Sequence, residues 1–258
     1  MISQTLSAPF PLALTREELS SQLQQQPFSG HEGVRMLFVP PRLTARNAPQ
    51  LAWVYRQIGR TRYDTVVICE QGNRNASRKI AVFGGSYADT PLGQVPFDEQ
   101  LRDDFCDEED DFFIDEQPDL SQSGFFDQLT MLQLTQESFR VTGLQLNDDS
   151  PPIVEELTYV LREIMPTMNS LLVFCCSMPL EEQIESERLK QAVQTGNDTP
   201  LFHTVYGKRH RIGGAGVFLS GVLAARQRDR QIRFGPEELA IKAGNLLAGY
   251  AAFPDPDA

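Results

Sequence analysis

The stretch TPLGQVPFD, residues 90–98, decides the predicted fold. Pro91 and Gly93 favour a rigid turn, and Asp98 stands where its side chain can cap a following helix. Short apolar runs on both sides of this stretch predict buried strands. These runs are RMLFVP (35–40), DTVVIC (64–69), KIAVFG (79–84) and LLVFCC (171–176).

Longer segments with helical periodicity separate the strands, at residues 48–58, 125–135, 153–165 and 180–193. Pro151 and Pro152 fit the first turn of the third of these helices. The alternation predicts a single α/β domain with a mostly parallel central sheet flanked by helices. We assign residues 34–258 to this domain and residues 1–33 to an N-terminal lead-in.

Composition narrows the class of protein. The chain has 258 residues, of which 41% are hydrophobic, and a formal net charge of −12. This charge argues against nucleic acid and anionic membranes as partners. Residues 1–15 lack a basic segment and contain two prolines, so we expect no secretory signal. The apolar runs are too short to span a bilayer, and we expect a cytoplasmic protein.

The four cysteines form no CxxC pair and no zinc-ligand spacing. Cys175 and Cys176 are adjacent in a predicted strand, so we expect their side chains on opposite faces. Cys69 is the best candidate for a nucleophile, because it ends a predicted strand. Glu70 beside it would raise the pKa of the thiol. We therefore interpret the cysteines as reduced thiols of the core.

Two segments are strongly charged. Residues 103–119 (DDFCDEEDDFFIDEQPD) could offer oxygen ligands to a hard cation, but a solvated loop or helix end leading to a strand near residues 112–114 is favoured. Lys208 to Arg211 precede a glycine-rich turn that enters a predicted helix at residues 217–225. Such a turn could hold a phosphate or carboxylate, but a solvated surface turn is again favoured.

Five segments in order resemble the Memo-like family, whose bacterial branch is called AmmeMemoRadiSam protein B. They are TPLGQVPFD (90–98), QLTMLQ (128–133), LLVFCCS (171–177), TVYGKR (204–209) and LAGYAAF (247–253). The resemblance extends from about residue 34 to the C-terminus. It implies a class III extradiol dioxygenase-like fold with a histidine-bound metal, such as iron or copper, in a cleft.

The positions that match the family's metal-binding and catalytic residues carry other side chains here. In chain order they are Pro41, Asn73, Gln122, Ser123, Ser177, Leu180 and Tyr206. Imidazole, thiolate and carboxylate groups are the usual ligands of iron, copper and zinc, and these replacements offer almost none. The comparison therefore implies no cofactor at the family site.

Three hypotheses of function follow. The first is a non-catalytic binding or regulatory protein, a pseudoenzyme, whose remodelled cleft is lined by the replaced positions and by Lys208 and Arg209. Its partner would be an unknown protein or a small ligand. The second is an enzyme whose active site has moved. It would be either a dioxygenase-like enzyme that binds iron, copper or zinc through His203 and His210, or a hydrolase. The third is a subunit that stabilises or regulates an active homologue in a hetero-oligomer; a homo-oligomer is the alternative assembly.

Overall fold

The computed structural model describes residues 4–29, 31, 33–74, 76, 78–107, 111–167, 169–207 and 211–254. The strands are β1 (Thr5–Ser7), β2 (Met36–Val39), β3 (Thr65–Gln71), β4 (Ile80–Phe83), β5 (Tyr87–Thr90), β6 (Gly93–Pro96), β7 (Phe112–Asp115), β8 (Arg140–Leu146), β9 (Ser170–Cys175), β10 (Gln231–Phe234) and β11 (Gly249–Ala252). The helices are α1 (Arg16–Gln25), α2 (Ala48–Arg56), α3 (Glu99–Asp107), α4 (Phe125–Thr135), α5 (Pro151–Thr167), α6 (Gln183–Thr195), α7 (Asp198–Tyr206), α8 (Ala215–Arg226) and α9 (Glu237–Ala243).

The main sheet has the strand order β10-β11-β2-β9-β3-β8-β4-β7. Its four central strands, β2, β9, β3 and β8, are parallel, in agreement with the predicted mostly parallel sheet, although β8 itself was not predicted. Strands β4 and β11 run antiparallel to their central neighbours, so the sheet is mixed towards its sides. The reason at β4 is the short connection at residues 72–79, which cannot hold the crossover that a parallel return requires.

Helices cover both faces of this sheet, which confirms the predicted α/β architecture. One core packs the sheet against α3, α5, α6, α7 and α8, and the other packs it against α1, α2, α4 and the small sheet. Along β9, Val173 and Cys175 belong to one core, whereas Phe174 and Cys176 belong to the other. The expected opposite orientation of the two adjacent cysteines is therefore correct.

The stretch at residues 90–98 forms the tip of a hairpin between β5 and β6 in a second sheet, β1-β5-β6. Gly93 adopts a φ of 116°, which a residue with a side chain rarely adopts. The hydroxyl of Thr90 lies 2.5 Å from Oε1 of Gln133, and Nε2 of Gln133 donates to the carbonyl of Gly93 at 3.1 Å. Two of the five segments that carry the family resemblance therefore hold each other in place.

Several boundaries of helices and strands agree with the predictions, and others differ. Asp98 caps α3 by accepting a hydrogen bond from the backbone N–H of Leu101 at 3.3 Å. The acidic segment leads into β7, as expected. The helix predicted at 180–193 is instead a short 3₁₀ turn, Leu180–Glu182, followed by α6, and α7 was not predicted. Within the described ranges, no helix is long and apolar enough to cross a membrane.

Strand β1 and helix α1, which belong to the predicted lead-in, pack on the rest of the chain. Strand β1 pairs in parallel with β5. Helix α1 begins at a capping box, in which Thr15 and Glu18 exchange hydrogen bonds. Leu19 and Leu23 of this helix are buried in the same core as α2.

Candidate functional site at the carboxyl edge of the parallel strands

The four central strands end at one edge of the sheet, because they are parallel. In open α/β sheets, this carboxyl edge is where ligands bind. Register pairs Val39 of β2 with Cys175 of β9, and Gln71 of β3 with Leu146 of β8. The residues after these strand ends include four of the replaced family positions or their neighbours, so the edge is the place to look for a site.

Glu70 is the most unusual residue at this edge, because it is a carboxylate with only 3% of its surface exposed. Its Oε2 accepts a hydrogen bond from the backbone N–H of Gly124, and its Oε1 accepts one from Nε2 of Gln145, both at 2.9 Å. Ser123 and the backbone of Phe125 also form hydrogen bonds with it. Burial raises the pKa of the Glu70 carboxyl, and these hydrogen bonds act in the opposite direction.

The residues that follow β2 pack against the start of α4. Gln128, which is fully buried, donates from Nε2 to the carbonyls of Pro40 and Pro41, both at 2.9 Å. The hydroxyl of Tyr55 donates to Oε1 of Gln128 at 3.0 Å. Gly124 packs so closely on the Pro41 carbonyl that there is no room for a Cβ atom. Pro41, the first of the positions matched to family ligands, thus lies where backbone atoms are closely packed.

The other replaced positions are spread along the edge. Ser123 is half-buried and contacts Glu70, whereas Asn73 and Gln122 are exposed. Ser177 is half-buried and pairs through its backbone with Gly213, with N···O distances of 2.9 and 2.8 Å. Leu180 is partly buried and packs against the core. Ser123 thus contacts Glu70 directly, and Gly124 connects Pro41 to the same carboxylate.

Tyr206 is the last residue of α7 and is 37% exposed. Burial raises the pKa of its phenol to about 12, and the negative charge of Asp149 adds to the effect. Asp149 also forms an ion pair with Arg74 at 2.5 Å, which connects the loop after β3 to the loop after β8. This part of the edge therefore carries charged as well as uncharged polar side chains.

Three predicted residues, Lys208, Arg209 and His210, lie outside the described residues. His203 is exposed on α7 and lines a different cavity, of about 730 Å³, together with Glu185 and Arg188 of α6. His31 stacks near Tyr250, with ring centroids 5.9 Å apart. The structure places neither His31 nor His203 among the residues around Glu70.

The cysteines near the edge are not activated. Cys69 lies inside β3, which continues to Gln71, so the expectation that it ends the strand is wrong. Burial, followed by the charge of Glu70, raises the pKa of the Cys69 thiol. Burial also raises the pKa of the Cys175 thiol, which lies in the core that packs the sheet against α1, α2 and α4. Both thiols are therefore protonated and weakly nucleophilic at neutral pH.

The donors present at this edge do not fit a transition-metal ion. Pro41 and Leu180 offer no side-chain donor, and both oxygens of Glu70 already accept hydrogen bonds from protein groups. Throughout the part of the chain that the structure describes, no three His, Cys, Asp or Glu side chains are grouped to hold a metal. The usual ligands of iron, copper and zinc are thus missing from this set of residues.

Sequence reasoning identified the edge but missed Glu70, Gln145 and Asp149. Glu70 had one visible signal, namely a charged side chain inside the otherwise apolar run of β3. Gln145 and Asp149 gave none, because polar residues at a strand end are common in any α/β protein.

Comparisons with known proteins concern the family and the fold of this chain. The sequence model of the Memo-like protein family matches residues 13–234. The chain belongs to the Memo-like family. The match includes the four central strands and the edge at which Glu70 lies. It also begins earlier than the resemblance read from the motifs, since it includes α1.

Two known proteins are similar to this chain. A protein of Thermotoga neapolitana named "MEMO1 family protein" is 24% identical over 128 residues, which are 49% of this chain and 46% of that protein. The match thus spans less than half the length of that relative. The crystal structure of uncharacterized protein JW3007 from Escherichia coli K12 covers 84% of this chain and 98% of its own, with 14% identity and a TM-score of 0.56. This second similarity concerns the fold alone.

Proposed function

We propose that this Memo-like chain is a non-catalytic binding protein, in which the family metal site has become a hydrogen-bonded support for a binding surface. The observation that carries the proposal is the state of Glu70. Its two oxygens are engaged by Gly124 and Gln145, in the region where Pro41 and Ser123 replace family ligands. A carboxylate held in this way stabilises a loop and has no oxygen directed at a metal.

The surface proposed for binding is the outer part of the same edge. It comprises the exposed residues Asn73 and Gln122, the Arg74–Asp149 ion pair and the partly exposed phenol of Tyr206. An exposed tyrosine beside fixed charges suits a protein partner, because its ring provides contact area and its hydroxyl provides a hydrogen bond. We therefore favour a protein partner over a small ligand.

Metal analysis tests the first half of the proposal. The purified protein is incubated separately with Fe²⁺, Cu²⁺ and Zn²⁺, passed through a desalting column and analysed for bound metal. We expect far less than one ion per chain, because Pro41, Ser123 and Leu180 replace ligands. Stoichiometric metal that survives desalting would contradict the proposal. If that metal were lost in a His203→Ala/His210→Ala double variant, a relocated metal site would be the correct interpretation.

Capture of partners tests the second half. The immobilised protein is compared with Tyr206→Ala and with Tyr159→Ala, a control that removes another exposed tyrosine from helix α5. We expect a specific partner whose binding weakens about tenfold or more in Tyr206→Ala, the loss typical of a tyrosine at the centre of an interface. An equal effect of the two substitutions, or no effect of either, would exclude the outer edge as the binding surface.

A further inference from the structure

Strand β6 forms one edge of the small sheet β1-β5-β6, and Gln94 turns its backbone polar groups to the outside of that edge. The backbone N–H of Ala8 donates to the carbonyl of Asp89 at 3.3 Å, so the backbone groups of Asp89 point towards β1. Gln94 is the cross-strand partner of Asp89. In an antiparallel ladder, two partners that are not hydrogen-bonded to each other both turn their N–H and C=O groups outward. The N–H and C=O of Gln94 therefore point away from β5.

A cavity lies beside this edge, between β6 and the residues that precede β8. Phe97, which follows β6, forms a parallel bridge with Val141 of β8, and the N–H of Asp98 donates to the carbonyl of Val141 at 2.9 Å. Before this bridge the two chain segments separate, since residues 94–96 and residues 138–139 line a common cavity of about 380 Å³. We call this cavity the β6–β8 wedge. An extended chain segment of a few residues fits between its two sides.

Side-chain amides hold the walls of the β6–β8 wedge in place. Gln136 is only 7% exposed, and its Nε2 donates to the carbonyl of Thr61 at 3.0 Å. Its Oε1 accepts a hydrogen bond from the backbone N–H of Tyr63 at 3.3 Å. Gln133 binds the carbonyl of Gly93 and so fixes the tip of the hairpin. A cavity with fixed walls loses little conformational entropy when it binds a ligand.

Arg16 gives the wedge a positive group. This exposed side chain lines the wedge, and it forms no ion pair in the part of the chain that the structure describes. Glu137 is the carboxylate in the described lining, and it is paired with Arg62 at 2.5 Å. Glu18, near Arg16 in the sequence, is turned to the backbone N–H of Thr15 at 2.8 Å. A ligand carboxylate is therefore the group that suits Arg16.

We propose that the β6–β8 wedge binds the C-terminal end of an extended peptide segment from a partner protein. One peptide residue exchanges two backbone hydrogen bonds with Gln94, which is strand addition at a sheet edge. The terminal carboxylate pairs with Arg16, and apolar side chains of the peptide contact Leu92 and Phe139, which also line the wedge. Pro96 has no N–H to offer, so the added strand is only a few residues long. This surface does not depend on the function proposed above for the edge that carries Glu70.

The probe is the tetrapeptide Thr-Val-Thr-Val with an acetylated amino terminus and a free C-terminal carboxylate. Its β-branched residues favour the extended conformation, and the acetyl group stands for the preceding chain of a partner protein. Affinity is measured by NMR titration of the isotopically labelled full chain, with the C-terminal amide of the same peptide for comparison. We expect the carboxylate peptide to bind about fivefold more tightly than the amide, the upper part of the range for an exposed ion pair.

Arg16→Gln tests the pairing with the carboxylate. We expect this variant to bind the carboxylate peptide and the amide peptide equally, because it lacks the group that distinguishes them. The control is Arg56→Gln, which removes an exposed arginine that lines another cavity and should keep the fivefold preference. A preference for the carboxylate that persists in Arg16→Gln, or is lost equally in both variants, would overturn the proposal.

Methylation of the peptide backbone tests strand addition without any change to the protein. Four peptides, each methylated at a different backbone nitrogen, each lack one N–H group. We expect one of them to bind about tenfold more weakly, because it cannot donate to the carbonyl of Gln94. Unchanged affinity of every methylated peptide would contradict pairing with Gln94.

The position of the peptide is tested by Ser138→Phe, which places a ring in the wedge from an exposed residue. We expect this variant to lose peptide binding, and binding that survives would show that the peptide lies elsewhere. Absence of binding of the carboxylate peptide to the wild-type chain would overturn the proposal. Binding only of a peptide with a free amino terminus would also contradict it, because a free oligopeptide would then be the ligand.

Discussion

Replacing Gly124 by alanine is expected to destabilise the protein by about 3 kcal/mol or more, the upper part of the range for overpacked sites. The backbone of Gly124 has a φ of −98°, which alanine adopts without strain, so the cost comes from contact alone. A Cβ atom would lie at less than half the normal contact distance from the Pro41 carbonyl oxygen, and 3.0 Å from its Cα atom. Both partners are backbone atoms, so a rotamer change cannot relieve the clash.

Chemical denaturation measures this effect, and Gly235→Ala is the matched control. The nearest atoms to a Cβ at Gly235 are 3.3 Å away and belong to the ring of Trp53, which can shift slightly. We expect Gly235→Ala to cost less than about 1 kcal/mol. If Gly124→Ala were as mild as this control, the close packing of α4 on the end of β2 would be incorrect.

Replacing Glu70 by leucine is expected to cost about 3 kcal/mol, because it leaves buried hydrogen-bond donors without an acceptor. The N–H of Gly124 and Nε2 of Gln145 both lose their partner. Gln145 also donates to the carbonyl of Asp119 at 3.0 Å and can keep that bond, which limits the loss. Glu70→Gln should cost less, because its amide oxygen can still accept one of the hydrogen bonds.

The control for Glu70 is Glu137→Gln, which removes a carboxylate that is largely exposed and paired with Arg62. Exposed ion pairs contribute little to stability, so this variant should unfold within about 0.5 kcal/mol of the wild type. A Glu70→Leu variant as stable as this control would show that the buried carboxylate does not hold the loop before α4.

The pH dependence of stability offers a second measurement on Glu70. Its pKa in the folded protein is raised above the ordinary value of 4.5, so the folded state binds this proton more tightly than the unfolded state. The stabilisation from that proton is fully present below the unfolded pKa and is lost as pH rises through the folded pKa. Glu70→Gln has no such proton. As pH rises from acid to neutral, the unfolding free energy of the wild type should therefore fall relative to that of Glu70→Gln.

The sequence predicted most of the central scaffold because its signals are local. The apolar runs at β2, β3, β4 and β9 are continuous, as expected for strands buried on both faces. Helix α7 was missed because it is short and carries Pro200, although a proline is tolerated in the first turn of a helix. The antiparallel direction of β4 also required knowledge of which strand it joins.

The candidate site was harder to predict because its contacts join distant residues. Glu70 accepts hydrogen bonds from Gly124, 54 residues away in the sequence, and from Gln145, 75 residues away. No spacing rule relates such positions before the chain folds. The mapped positions Pro41 and Ser123 lie near this edge, because they follow a strand or precede a helix, whereas Leu180 is partly buried and packs against the core.

The two glutamines of the QLTMLQ segment have a consequence for how such a protein can evolve. Gln128 and Gln133 hold the end of β2 and the β5–β6 hairpin through backbone carbonyls of Pro40, Pro41 and Gly93. A carbonyl is the same acceptor whatever side chain its residue carries. The side chain at residue 41 can therefore change while these bonds persist. Substitutions at that position can thus alter the chemistry of the edge without removing the hydrogen bonds that hold it.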